Sequence, residues 1–181
     1  MSQEQLSAEE AAMVATWEQH LGAEFGMKSA SAALETMSAH PYVVLVPVAT
    51  GGTGRDGVGT FYGDHFLPAI PDDMMMTPVA RTLGKNRLVD ELVLKFTHSI
   101  RMDWFLPGVE ATHKKIEMAF VAVVEFEDGK VSGERLYWDQ ASVLAQLGLI
   151  DRSLPVVGPE GARRLLDPSV PMNELMHRAK A

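Results

Sequence analysis

Four groups of side chains in this sequence are spaced so that they could move protons or hold a ligand in an apolar setting. Glu134 stands in the run Lys130-Val-Ser-Gly-Glu-Arg-Leu-Tyr-Trp138. If that run is a regular strand, Glu134, Leu136 and Trp138 share one face. A carboxyl group buried on such a face serves as general acid or base; the alternative is a solvated carboxylate beside Arg135. His98 is a proton carrier near neutral pH. It falls in a second alternating run, Leu88 to Trp104, on the phase of Leu92, Leu94, Phe96, Met102 and Trp104. Its alternative is a hydrogen-bonded core histidine. Arg101 and Asp103 form a rival pair on the opposite phase of the same run, so without a bulge only one set faces a cavity. Tyr62 and His65 sit on a helical face with Val58, Phe61 and Phe66, where they could touch a ligand or pack on a sheet.

The elements that must hold these residues follow from periodicity and caps. Ser7-Ala-Glu-Glu10 reads as a capping box, and Met13, Trp17, Leu21 and Phe25 follow at helical spacing. A short helix is expected over Ser31 to Met37, and a strand with both faces covered over Tyr42 to Val46. The stretch Thr50 to Gly57 reads as a flexible glycine-rich loop, since it lacks the Gly-Lys-Ser/Thr of a phosphate loop. Asp56 is the expected cap of a third helix that Pro68 and Pro71 end. Strands are expected over Thr77 to Thr82, Leu88 to Trp104, Ile116 to Glu127 and Lys130 to Trp138. Asp128-Gly129 is suited to the tight turn between the last two. Asp139 then caps a short helix that stops at Gly148. A Pro/Gly connector leads to short helices over Glu160 to Leu166 and Val170 to Ala179.

Composition narrows the chemistry. The 181 residues carry a formal net charge of −8 and no cysteine. Disulfides, thiol nucleophiles and thiolate metal sites are therefore excluded. No basic stripe invites nucleic acid. No apolar run reaches the ~18 residues of a membrane span, and the acidic start does not read as a secretory signal. A soluble, cytoplasmic protein is expected. The histidines and carboxylates show no metal-ligand spacing, so neither metal nor cofactor is expected. Eleven methionines are many, and Met74-Met-Met76 reads as core filling or as the wall of an adaptable pocket.

The order strand, Asp128-Gly129 turn, strand and capped helix resembles the closing unit of the nuclear-transport-factor-2-like superfamily. That superfamily includes SnoaL-like polyketide cyclases, ketosteroid isomerase and limonene epoxide hydrolase. The match spans roughly Glu10 to Leu149 and is strongest around Phe61-Tyr62, Phe96 to Gly108 and Gly129 to Gly148. It implies an α+β fold: a cone-shaped barrel in which a strongly curved, mostly antiparallel sheet is closed by three to four helices. Residues 1–150 would form the cone, and residues 151–181 a helical tail packed on it or on a partner subunit.

The resemblance also implies a small hydrophobic ligand in the cone and a homodimer built on the sheet. Arg101-Met-Asp103 resembles the Arg-x-Asp of limonene epoxide hydrolase. Alignment through Gly129-Lys130, however, puts Leu136 where that enzyme has its second aspartate and SnoaL-like cyclases their base. Ala122 falls at the cyclases' acid histidine. Neither residue can move a proton, so neither reaction transfers by motif. What remains is cofactor-free acid/base chemistry, an isomerisation, cyclisation or hydrolysis, with Glu134 and His98 leading and Arg101 and Asp103 as rivals. Tyr62, His65, Trp104, Leu136 and Trp138 are the expected ligand contacts. The alternative is a non-catalytic ligand-binding or dimeric interaction module. A cavity of ~300 Å³ or more would favour the enzyme, and a filled cone the module.

Overall fold

The computed structural model describes residues 6–151 and 153–178; Met1 to Gln5 and residues 179–181 lie outside them. Helix α1 (Ala8–Leu21) opens on the expected capping box, with Ser7 Oγ accepting from Glu10 N at 3.2 Å and the Glu10 carboxylate accepting from Ser7 N at 2.8 Å. Beyond Leu21 it widens into a π-helical turn, Gly22–Gly26, closed by the Met27 amide donating to the Gly22 carbonyl at 2.9 Å. Helix α2 (Ala30–Glu35) follows, capped by Ser29.

Strands β1 (Met37–Leu45) and β2 (Thr50–Thr53) form a hairpin. Helix α3 (Gly54–Thr60) runs into a second π-helical turn, Phe61–Phe66, and one 3₁₀ turn, Leu67–Ala69. Then come β3 (Met75–Gly84), β4 (Arg87–Thr97), β5 (Lys115–Glu127) and β6 (Lys130–Trp138). Helices α4 (Gln140–Leu147), α5 (Glu160–Leu166) and α6 (Glu174–Arg178) complete the chain.

The six strands lie in the order β2-β1-β6-β5-β4-β3. Among the described residues only the β1–β6 pair is parallel. The sheet is open, with edges at β2 and β3, rather than closed into the expected barrel. Bulges between Pro78 and Ala80 and between Glu125 and Phe126 add local bend and twist. One face of the sheet joins α1, α3 and both π-helical turns in a single apolar core. The β5–β6 turn takes the left-handed backbone its sequence suits, with φ of 49° at Asp128 and 74° at Gly129. Asp139 caps α4 by accepting from Ser142 N at 3.1 Å, and Gly148 ends it at φ 73°.

Three expectations need correction. The long strand ends at Thr97, not Trp104, because residues 99–105 turn back: Phe105 and Leu106 both donate to the Met102 carbonyl. The alternation that ranked His98, Arg101 and Asp103 therefore does not apply to Arg101 and Asp103. The glycine-rich stretch is structured. Its first half is β2, and Asp56 lies inside α3 while Thr53 occupies the cap position. The last helix begins at Glu174, not Val170.

Glycine is required at residue 51 for a packing reason. Gly51 has φ +138°, and a Cβ there would lie 2.0 Å from the Val43 carbonyl oxygen. Gly51→Ala is expected to cost about 2–4 kcal/mol. Gly22→Ala is the control, since nothing lies within 4 Å of its Cβ position. Equal urea midpoints for the two variants would overturn this account of β2.

Helix α5 lies against β5. Arg163 of α5 donates to Glu117 of β5 at 2.9 Å and Ala162 is buried. Glu117 points away from the core, so α5 covers part of the outer face, where Val93 is fully buried. Where β6 has ended, the Gln146 side chain of α4 takes its place, bonding both the amide and the carbonyl of Glu117 at 3.0 Å.

Candidate active site

A cavity of about 50 Å³ lies between the sheet and the two π-helical turns. Its walls are apolar and largely aromatic: Trp17, Phe25, Phe61, Phe66, Phe96, Trp104 and Phe120, with Leu92, Leu94, Met118 and Leu136 from the sheet. The volume is well below the ~300 Å³ typical of ligand pockets, because these large side chains project into the cone. Met74 and Met76 form part of the wall. Leu21, Met76 and Leu92 border both this cavity and an outer groove that holds Glu18, Arg81 and Asp90.

Three polar side chains reach the cavity, Glu24, Tyr62 and Glu134, and they meet at one point with His20 behind them. Each arrives by a different element. His20 and Glu24 are one turn apart, at the end of α1 and in the first π-helical turn. Tyr62 sits in the second π-helical turn and Glu134 in the middle of β6, paired with Val124. Such insertions into a helix re-aim side chains and recur at functional sites.

Tyr62 donates its hydroxyl proton to Glu134 Oε1 at 2.9 Å. His20 Nε2 lies 3.1 Å from the same oxygen and 3.3 Å from Glu24 Oε1. His20, Glu24, Tyr62 and Glu134 are all buried.

The hydrogen bonds fix the charge of the histidine. Thr36 Oγ1 gives its only proton to the Ala33 carbonyl at 2.6 Å. It must then accept from His20 Nδ1, also at 2.6 Å. Nε2 faces two carboxyl groups, so both ring nitrogens are donors and the ring is an imidazolium. Burial alone would lower its pKa, but Glu24 and Glu134 outweigh burial and push it up to about 10. Burial holds the Glu24 carboxyl above its ordinary value, against the pull of His20. It raises the Tyr62 phenol strongly, so that group remains a donor. His20 is held from its far side too: Trp17 stacks on it at 5.5 Å and is pinned by Nε1 donating to Asp90 at 2.8 Å. Arg81 grips the same Asp90 carboxylate through Nε and a terminal nitrogen, at 2.6 and 2.8 Å.

The other residues marked from sequence lie elsewhere. Trp104 and Leu136 line the cavity beside Glu134 and Tyr62. Trp138 is set back behind Phe120, stacked at 6.1 Å, with Nε1 donating to Gln140. His98 does not line the cavity. It is buried at the end of β4, with Nδ1 on Thr112 at 3.1 Å and Nε2 without a partner among the described residues. Burial, and then neighbouring His113, lowers its pKa. Arg101 and Asp103 pair at 2.8 Å on the surface, Arg101 also holding Glu110. Asp103 accepts from the Gly108 amide, which makes it a turn residue. His65 is exposed and borders a shallow outer depression with Asp103 and Thr50.

Sequence reasoning missed His20, Glu24 and Thr36. A signal was present: Trp17, His20 and Glu24 are spaced i, i+3, i+7, the pattern of one helical face. His20, Glu24 and Glu134 also place one ligand atom each within 4.8 Å of the others. That spacing admits a metal ion, but the imidazolium offers a metal no lone pair. Proton exchange suits the cluster better.

A family model of SnoaL-like polyketide cyclases matches residues 23–147. No curated protein matches the chain. Among solved structures, a SnoaL-like protein from Jannaschia sp. CCS1 aligns with a TM-score of 0.67 at 16% identity, covering 82% of this chain and 99% of that one. AclR from Streptomyces galilaeus aligns at 0.59 with 18% identity, covering 78% and 88%. An NTF2-like protein from Burkholderia pseudomallei K96243 aligns at 0.57 with 15% identity, covering 75% and 97%. At these identities the likeness is one of fold.

Proposed function

The chain belongs to the SnoaL-like polyketide cyclase family, and from that premise we propose that it is a cofactor-independent enzyme performing acid/base chemistry on a small hydrophobic molecule. Isomerisation, cyclisation and hydrolysis are the reactions this chemistry serves. One observation carries the reading: two carboxyl groups, Glu24 and Glu134, border a small apolar cavity and share a buried imidazolium. An isolated carboxyl there would cost too much to ionise. His20 supplies the compensating charge, and Tyr62 orients Glu134. Glu134 is the proton acceptor. Glu24, whose pKa burial raises, is its exchange partner. This pair replaces the groups missing at Leu136 and Ala122, reaching the same cavity from the first π-helical turn and β6.

The test is a screen of enolisable ketones, enones and epoxides with the wild type and Glu134→Gln side by side. Turnover by the wild type that the variant lacks supports the proposal. The volume of about 50 Å³ favours a second reading, a binding module of the same fold. Saturable binding with no turnover across the screen would establish that module and sink the enzyme.

We also propose that residues 1–150 form the cone domain and that the protein is a cytoplasmic homodimer built on the outer face of the sheet. Val44, Val89, Val121 and Val123 are only half-buried there, and Tyr137 is 38% exposed. These valines stand among Glu91, Arg135 and Glu125 in a mixed face of the kind an interface covers, and α5 covers only the part near Val93. A mass near 39.6 kDa by light scattering is expected, twice the chain's 19.8 kDa. A mass near 19.8 kDa at micromolar concentration would remove the dimer.

A further inference from the structure

The cavity and its charge point to a class of ligand. The wall carries aromatic rings, two carboxyl groups and, among the described residues, no lysine or arginine. Among the described residues the carboxyls face a single cation, His20, and no second basic group meets Glu24 from any element packed against it. His20 reaches it from α1, Glu134 from β6 and Tyr62 from the second π-helical turn. With both carboxyls ionised, the three groups sum to one negative charge. That charge lies in an enclosure where an unpaired ion is expensive. A proton on Glu24 removes it, and so would a cation from outside. Aromatic faces attract an organic cation through the ring quadrupole, most strongly where water is excluded. At about 50 Å³ the cavity is smaller than a methylated ammonium head, so the head itself enters only if the methionine wall moves, and a fused ring system is excluded more strongly still. Met74 and Met76, with three rotatable bonds each, can make room for an attached apolar body. The net charge of −8 draws cations toward the protein from solution.

We propose that the cavity takes a ligand with a methylated ammonium head, seated against Phe66 and Trp104 with Glu24 as its counter-ion. This rests on the reading of Glu24 and Glu134 as the working pair and adds the charge of the molecule they act on. The cation and a proton then compete for Glu24. Because burial raises that carboxyl's pKa, cation binding strengthens as pH rises through its range and releases a proton.

Calorimetry with choline and its uncharged carbon isostere, 3,3-dimethylbutan-1-ol, separates charge from shape. At pH 8 choline is expected to bind about 10- to 30-fold more tightly than the alcohol. Glu24→Gln is expected to abolish that preference while leaving the alcohol's binding in place. Phe66→Leu keeps an apolar wall, removes a ring and should reduce the preference several-fold. Thermal melts confirm that each variant is folded. Equal affinity for the two probes, or no choline binding by folded wild-type protein, overturns the proposal. If the preference is absent while Glu134→Gln still abolishes turnover of a neutral substrate, the acid/base reading stands and the cationic ligand falls.

Discussion

Glu134→Gln is expected to lower kcat by about 10²–10⁴-fold on any substrate turned over in this cavity, the usual contribution of a positioned proton-transfer group. The substitution keeps the length of the side chain and an oxygen that Tyr62 can still reach from 2.9 Å. It removes the carboxylate that accepts the proton. Because the loss falls on the chemical step, kcat and kcat/KM should fall together, with KM little changed. Some stability is lost as well, since His20 keeps only Glu24 as a charged partner at 3.3 Å. Turnover is therefore measured on protein shown to be folded by its near-ultraviolet circular dichroism. Wild-type turnover from folded Glu134→Gln would remove Glu134 from the mechanism. His98→Gln, altering a ring outside the cavity, should leave kcat within a few-fold of wild type.

His20→Leu should produce the largest change in stability, about 3–5 kcal/mol at pH 7, because it leaves two buried carboxyl groups without their cation. The pH dependence identifies the cause. The folded His20 pKa is raised from 6.5 to about 10, so folding takes up a proton. Its contribution is complete below the unfolded value of 6.5 and is lost as pH rises through about 10. The raised Glu24 carboxyl acts in the same direction, starting lower, above the unfolded 4.5. Wild-type stability should therefore decline from pH 6.5 to pH 10, whereas the decline of His20→Leu should begin lower, above pH 4.5, because Glu24 loses the cation that holds its pKa down. Acid denaturation has a separate origin in surface carboxylates such as Glu125. Burial would raise it, but its bonds to Arg135, Tyr42 and Arg87 outweigh burial and lower its pKa. Urea unfolding at half-unit pH steps measures both profiles. Parallel wild-type and variant curves between pH 6.5 and 10 would mean that His20 is not the imidazolium its hydrogen bonds require.

What the sequence determined by itself is local. The capping box at Ser7 and Glu10, the Asp128-Gly129 turn, the Asp139 cap and the Gly148 stop each depend on a backbone preference or a hydrogen bond spanning a few residues. Their order along the chain was enough to identify the family and the α+β fold. The position of Glu134 on the inward phase of β6 was legible for the same reason, since alternation is a local property.

Tertiary structure decided what depends on residues far apart in the chain. The glycines at 51 and 52 read as loop residues, but the missing Cβ of Gly51 is what lets β2 lie against β1, and that of Gly52 is what lets α3 fold back onto β2. Alternation continued on paper to Trp104, while the backbone turned back after Thr97 and left Arg101 and Asp103 on the surface. The site itself joins residues 20, 24, 62 and 134, drawn from the end of α1, two widened helical turns and a strand. No local pattern signals a π-helical turn, because it is selected by the packing of the helix on the sheet. The charge of His20 follows from Thr36, Glu24 and Glu134 together. A histidine alone in a sequence has an ordinary pKa, and only its buried neighbours hold it as a cation at neutral pH.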